Sequence, residues 1–160
     1  MAFTNNPKFL RAADGGLPII REFREADSQS FTAGELVYLS TGYVTVCASD
    51  TAQILGIAMK AATNVTTGHI QIPVMIIRPG DEIKIRSTSG GTDTACAITD
   101  IGVNHELYVA SNVHYVDLAA ESNDRFTIQR LLYKGDQSTA DGYWVVVTVC
   151  PAACQYGYGA

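Results

Sequence analysis

Apolar residues in this chain recur at period two, in runs of four to eight residues, and residues that favour turns separate the runs. The cleanest alternation is Glu82-Ile83-Lys84-Ile85-Arg86, which predicts a half-buried strand with isoleucines inward and charges outward. His69 to Ile76 places Ile70, Ile72, Val74 and Ile76 on one face, and Pro73 predicts an edge position or a bulge because it has no amide to donate. Glu35–Leu39 and Tyr43–Cys47 read as a hairpin around a three-residue loop, Ser40-Thr41-Gly42. Glu106–Val109 and Val113–Val116 predict a second hairpin around Ala110-Ser111-Asn112. Leu17–Phe23, Gln53–Met59, Phe126–Tyr133 and Tyr143–Cys150 supply further strands, with Gly56 marking a bulge or a close backbone approach. Pro79-Gly80 between Arg78 and Asp81 predicts a type II turn. Helical periodicity is not sustained anywhere; Thr94–Ile101 and Ala119–Arg125 hold a turn of helix at most. Short strands between turn signals predict an all-β chain folded as a small β-barrel or sandwich.

Two segments depart from that pattern. Residues 1–16 are polar or small, with isolated Phe3, Phe9 and Leu10, and end in Asp14-Gly15-Gly16. They read as an extended N-terminal arm that orders only when docked, which makes Phe3, Phe9 and Leu10 the candidate contacts to a neighbour. Residues 151–160 read as a flexible C-terminal tail containing Cys154, Tyr156 and Tyr158, or else as an adhesive one, since tyrosine is enriched at interfaces. Residues 17–150 are left as the barrel domain. A chain of 160 residues buries enough surface to fold without a metal or disulfide staple.

Charge narrows the partners. The net charge is -5, and the basic residues are scattered with no aromatic interleaving, so no nucleic-acid partner is expected. The polar stretch after Met1 and the lack of a long apolar run predict no signal peptide and no membrane partner. Synthesis in a cytoplasm follows, and the Asn64-Val65-Thr66 sequon is then a chance match.

Candidate chemistry is sparse. Cys150 and Cys154 are close in sequence, but Cys47 and Cys96 stand alone and His69, His105 and His114 are dispersed. That spacing does not suit zinc, so no metal or cofactor is expected. Whether Cys150 and Cys154 are bonded stays open. Ser87-Thr88-Ser89-Gly90-Gly91 lacks the setting of a nucleophile elbow, and Ser87–Thr94, rich in Ser, Thr and Gly, reads as a mobile loop. Asp81 and Glu82 point to opposite faces of a strand and cannot clamp one substrate together. No catalytic residue is expected, and the chain reads as a non-enzyme.

Phe31-Thr-Ala-Gly-Glu-Leu-Val-Tyr-Leu39, Tyr43-Val-Thr-Val46 and Gln53-Ile-Leu-Gly-Ile-Ala58, with Pro79-Gly-Asp-Glu-Ile83 later, resemble the capsid cement or head decoration proteins of tailed bacteriophages. The resemblance implies a β-tulip-like barrel, usually a homotrimer, on the outer capsid surface of the virion. The partners it implies are the major capsid protein and neighbouring copies of the chain, and the implied role is to stabilise the head against internal DNA pressure. Phe126–Cys150 and the tail have no counterpart in that resemblance. The second reading is a carbohydrate- or receptor-binding module of a phage tail or fibre, with Trp144 and surface tyrosines as a stacking platform.

Overall fold

A computed structural model describes residues 6–119, 122–132 and 144–156. The first six strands are β1 (Lys8–Arg11), β2 (Ile20–Arg24), β3 (Leu36–Ser40), β4 (Tyr43–Val46), β5 (Gly56–Ala58) and β6 (Gln71–Ile76). The next six are β7 (Glu82–Ser89), β8 (Thr92–Asp93), β9 (Asn104–Ala110), β10 (Val113–Asp117), β11 (Phe126–Leu131) and β12 (Trp144–Val149). The only helical pieces among the described residues are single 3₁₀ turns at Ile98–Asp100 and Pro151–Ala153. The protein is all-β, as its period-two patterning requires.

Strands β2-β6-β5-β3-β4 form one sheet. It curls into a closed barrel because β4 returns to the end of β2: Glu25 bridges Val44 in parallel, and the Ala26 amide donates to the Val44 carbonyl at 3.0 Å. The inward positions of the alternating strands fill it, with Phe31, Val37, Val44, Leu55, Ile72, Val74 and Ile76 all buried. At β5 the wall is pinched. A Cβ on Gly56 would stand 2.1 Å from the Met75 carbonyl oxygen, so the glycine permits a close backbone approach.

Strands β7, β10, β9, β11 and β12 form a second ring, closed by a five-pair antiparallel register from Trp144↔Arg86 to Thr148↔Glu82. Ile83, Ile85, Leu107, Val116, Phe126, Ile128, Val145 and Val147 point into it. The two rings share material. Val37 faces the first interior, while its neighbour Leu36 joins Ile57, Ile54 and Cys47 in the core of the second. Sequence reasoning anticipated one small barrel; the structure adds a second ring packed on its flank.

Local geometry amends several expectations. The hairpin loops are two residues long, Thr41-Gly42 between the pair Ser40↔Tyr43 and Ser111-Asn112 between Ala110↔Val113. All four loop residues have positive φ (49°, 89°, 50° and 62°), the type I′ signature that matches strand twist. Pro73 is neither at an edge nor in a bulge; its strand β6 lies between β2 and β5. The Ile76 amide points to the β2 side, so by alternation position 73 faces the β5 side. There the Met59 amide, one residue past the end of β5, donates to the Pro73 carbonyl at 2.9 Å, and the return bond from position 73 is the one the proline does not make. Ser87–Thr94 is not a mobile loop. β7 runs on to Ser89 and turns through Gly90-Gly91 into β8, with the Ser87 hydroxyl donating to the Thr94 carbonyl at 2.6 Å. The Pro79-Gly80 turn forms as expected, with φ of 87° at Gly80 and the Asp81 amide donating to the Arg78 carbonyl at 3.0 Å.

Both ends of the described chain are tied down. β1 pairs with β7 (Lys8↔Lys84, Phe9↔Ile83), and Ala12 is buried. Residues 6–16, expected as an arm that orders only on docking, instead pack within their own chain through β1. The flexible tail is likewise corrected as far as residue 156. Cys154 bridges Ile54, and the Gln155 side-chain amide both accepts from the Leu39 amide (2.6 Å) and donates to its carbonyl (2.8 Å). That single amide stands in for a neighbouring strand. Tyr158 lies outside the described residues.

Candidate functional site

Of the three candidate contact residues, Phe3 lies outside the described residues. Phe9 is half-buried against the core of the second ring, because its partner across β1–β7 is the inward Ile83. That part of the side chain serves packing within the chain. Leu10 is 43% exposed and borders a cleft of about 390 Å³ with Arg11, Glu82 and Arg130. Arg11 donates to Glu82 Oε1 at 2.7 Å, and Arg130 reaches Glu82 Oε2 at 3.4 Å. Further along the same segment Leu17 is 88% exposed, and Ile20 is also exposed.

A polar network that the sequence reading missed holds this segment in place. Asp81 is fully buried, and its carboxylate accepts from the Ala13 amide (2.8 Å), the Arg78 amide (2.9 Å) and Arg78 Nε (3.3 Å). Arg78 also forks onto Asp14 at 3.0 and 3.2 Å, and this contact holds the Asp14 carboxyl below its usual value. The same bonds raise the already basic Arg78 guanidinium. The signal was present in Arg78-Pro-Gly-Asp81: an aspartate closing a turn can accept the amide that opens it. Its partner Asp14, 64 residues earlier, carried no such mark.

Glu25 plays the matching part in the first barrel. It is buried where β2 meets β4 and accepts from the Thr63 amide (2.8 Å), the Ile70 amide (3.1 Å) and the Thr63 hydroxyl. Burial pushes its carboxyl up, but those bonds outweigh burial and leave it below the usual value. Glu35, with only Thr32 donating to it, goes the other way under burial.

The cysteines are four free, buried thiols. Burial pushes Cys96 up to about 11 and Cys154 up to about 12, and it raises Cys150 as well. None is poised as a nucleophile, because that chemistry needs a depressed pKa and access. The histidines do not converge. His105 and His114 are buried on β9 and β10, and His114 Nε2 sits 3.2 Å from the Cys47 carbonyl. Burial lowers His114 to about 4, with the Cys47 bond opposing. His69 lies elsewhere, against Asp27 on the first barrel. Among the described residues no group of three His, Cys, Asp or Glu could hold a metal ion. Trp144 has Lys84 Nζ 4.7 Å from its ring centroid, and Arg86 lies over Tyr115 at 5.7 Å, so cations already cover faces that a stacking platform would offer.

Among the described residues the arrangement offers surfaces and clefts. No protein-family model matches the chain, and no curated protein is similar to it in sequence.

Proposed function

We propose that this chain is a capsid decoration (cement) protein of a tailed bacteriophage. It binds the outer surface of the head as a homotrimer and stabilises the head against the pressure of packaged DNA. The observation that carries this reading is that residues 20–76, which contain most of the resemblance to cement proteins, build a closed five-stranded barrel, the fold which that resemblance implies. The exposed Leu10, Leu17 and Ile20 on one N-terminal segment give the reading a contact surface. Each contributes roughly 1.5–3 kcal/mol when fully buried. Many copies on one head multiply a modest energy per site.

Heating DNA-filled heads with and without the protein tests the role. Undecorated heads should release DNA at a lower temperature, and adding the purified protein back should restore the higher one. Equal release temperatures would remove the stabilising role.

A further inference from the structure

The first barrel closes through the parallel bridge Glu25↔Val44 and a side-chain link, the Val46 amide donating to Gln29 Oε1 at 3.0 Å, in place of a ladder between β2 and β4. A cleft of about 360 Å³ lies over that seam, within the size range of small-molecule sites (~300–1,000 Å³). Six of its side chains carry the chemistry: Arg24, Asp27, Ser40, Tyr43, Thr45 and His69. From this set we infer that the seam cleft is a binding site for a neutral sugar residue.

Three features of the cleft select that ligand class. Its charge is balanced, one guanidinium and one carboxylate, which disfavours a strongly anionic or cationic ligand and favours a neutral one. Its polar groups are of both kinds: Asp27 only accepts, Arg24 only donates, and the Ser40 and Thr45 hydroxyls do both. Vicinal hydroxyls, each donor and acceptor at once, can use all of them, and charged partners strengthen such bonds. The third feature is Tyr43, 42% exposed at the cleft, which offers an aromatic face to the C–H side of a pyranose ring.

The site is also preorganised. His69 has only 8% of its side chain exposed, and its Nε2 holds Asp27 Oδ1 at 2.9 Å, while the Asp27 side chain is itself 72% exposed. The carboxylate is thus aimed from behind and open in front. His69 is a positioning residue here. Its own place is set by the next residue, Ile70, whose amide is anchored on Glu25.

The test uses the full chain with methyl glycosides of glucose, galactose, mannose and N-acetylglucosamine, and with glucuronate as the charged control, read by saturation-transfer NMR and titration. At least one neutral glycoside should bind in the millimolar range. Tyr43→Ala and Asp27→Asn should each weaken it by about tenfold or more, without changing the melting temperature. His69→Gln, which keeps a donor, should retain more affinity than His69→Ala. No binding by any neutral glycoside up to its solubility limit would overturn the inference, as would binding unchanged in Tyr43→Ala. Glucuronate binding that is tighter than every neutral sugar and lost in Arg24→Ala would overturn it too, by showing an anion site.

Discussion

The two rings of this molecule have the same number of strands but are closed in different ways. The second is sealed by a full antiparallel ladder between β7 and β12, with apolar side chains at every inward position of that seam. The first is sealed by one parallel bridge and by a buried carboxylate, Glu25, that gathers the Thr63 and Ile70 amides behind it. A ladder closes a barrel along its length; one bridge, helped by Gln29 accepting from the Val46 amide, closes it at points and leaves room where the flanking segments part. The sugar-sized cleft lies where they part. Mechanical closure and an available recess are thus opposite outcomes at equivalent places in the two rings.

Breaking the first ring at its tightest point should have the largest effect. Gly56→Ala puts a methyl group against the Met75 carbonyl, which is backbone and cannot swing aside. We expect a loss of about 4 kcal/mol or more in denaturant unfolding, the range reserved for named structural lesions. Glu25→Ala comes next. It removes the acceptor from the half-buried Ile70 amide and from the Thr63 amide and hydroxyl at the seam, for an expected cost of about 2 kcal/mol. Hydrogen exchange should show the Ala26 amide losing protection while residues 145–147 keep theirs.

The junction between the rings supplies a pH-dependent test. His114 is neutral and buried in the fold, with its pKa lowered from 6.5 to about 4. The unfolded chain therefore binds a proton at a pH where the folded one does not. The stability this contributes is present above pH 6.5 and is lost as the pH falls towards 4, for about 3 kcal/mol in all. Between pH 7 and pH 4 the wild type should lose about that much more stability than His114→Leu, which cannot titrate. Equal losses in the two proteins would mean that His114 is not held neutral by the junction.

The smallest expected effect is a gain. Thr41 is β-branched yet sits at φ 49° in the β3–β4 turn. Thr41→Asn keeps a short polar side chain and suits that conformation, so the hairpin should stabilise by about 0.5–1 kcal/mol. The gain would appear as a slightly raised melting temperature.

Much of the fold was legible in the chain because it is written in local period and turn chemistry. Ile83 and Ile85, the β6 face, Pro79-Gly80 and the close approach at Gly56 all follow from residues within a few positions of one another. Loop lengths were misjudged by one residue because the type I′ turns use Thr41 and Ser111-Asn112, which do not advertise positive φ as Asn-Gly does. What the sequence hid were partnerships across long stretches of chain. Phe9 seemed isolated until β1 paired with β7, and Gln155 looked like part of a loose tail although its amide completes β3. The seam cleft was invisible for the same reason. Arg24, Asp27, Tyr43 and His69 come from three separate segments, brought together only by ring closure.

The proposal that the protein attaches to a phage head is tested most directly by co-sedimenting it with expanded, DNA-free phage heads, over a concentration series. Saturable binding is expected, in a copy number that is a multiple of three per head, reduced when Leu10, Leu17 and Ile20 are replaced by serine. Protein that stays in the supernatant at every concentration, while remaining folded, would contradict it.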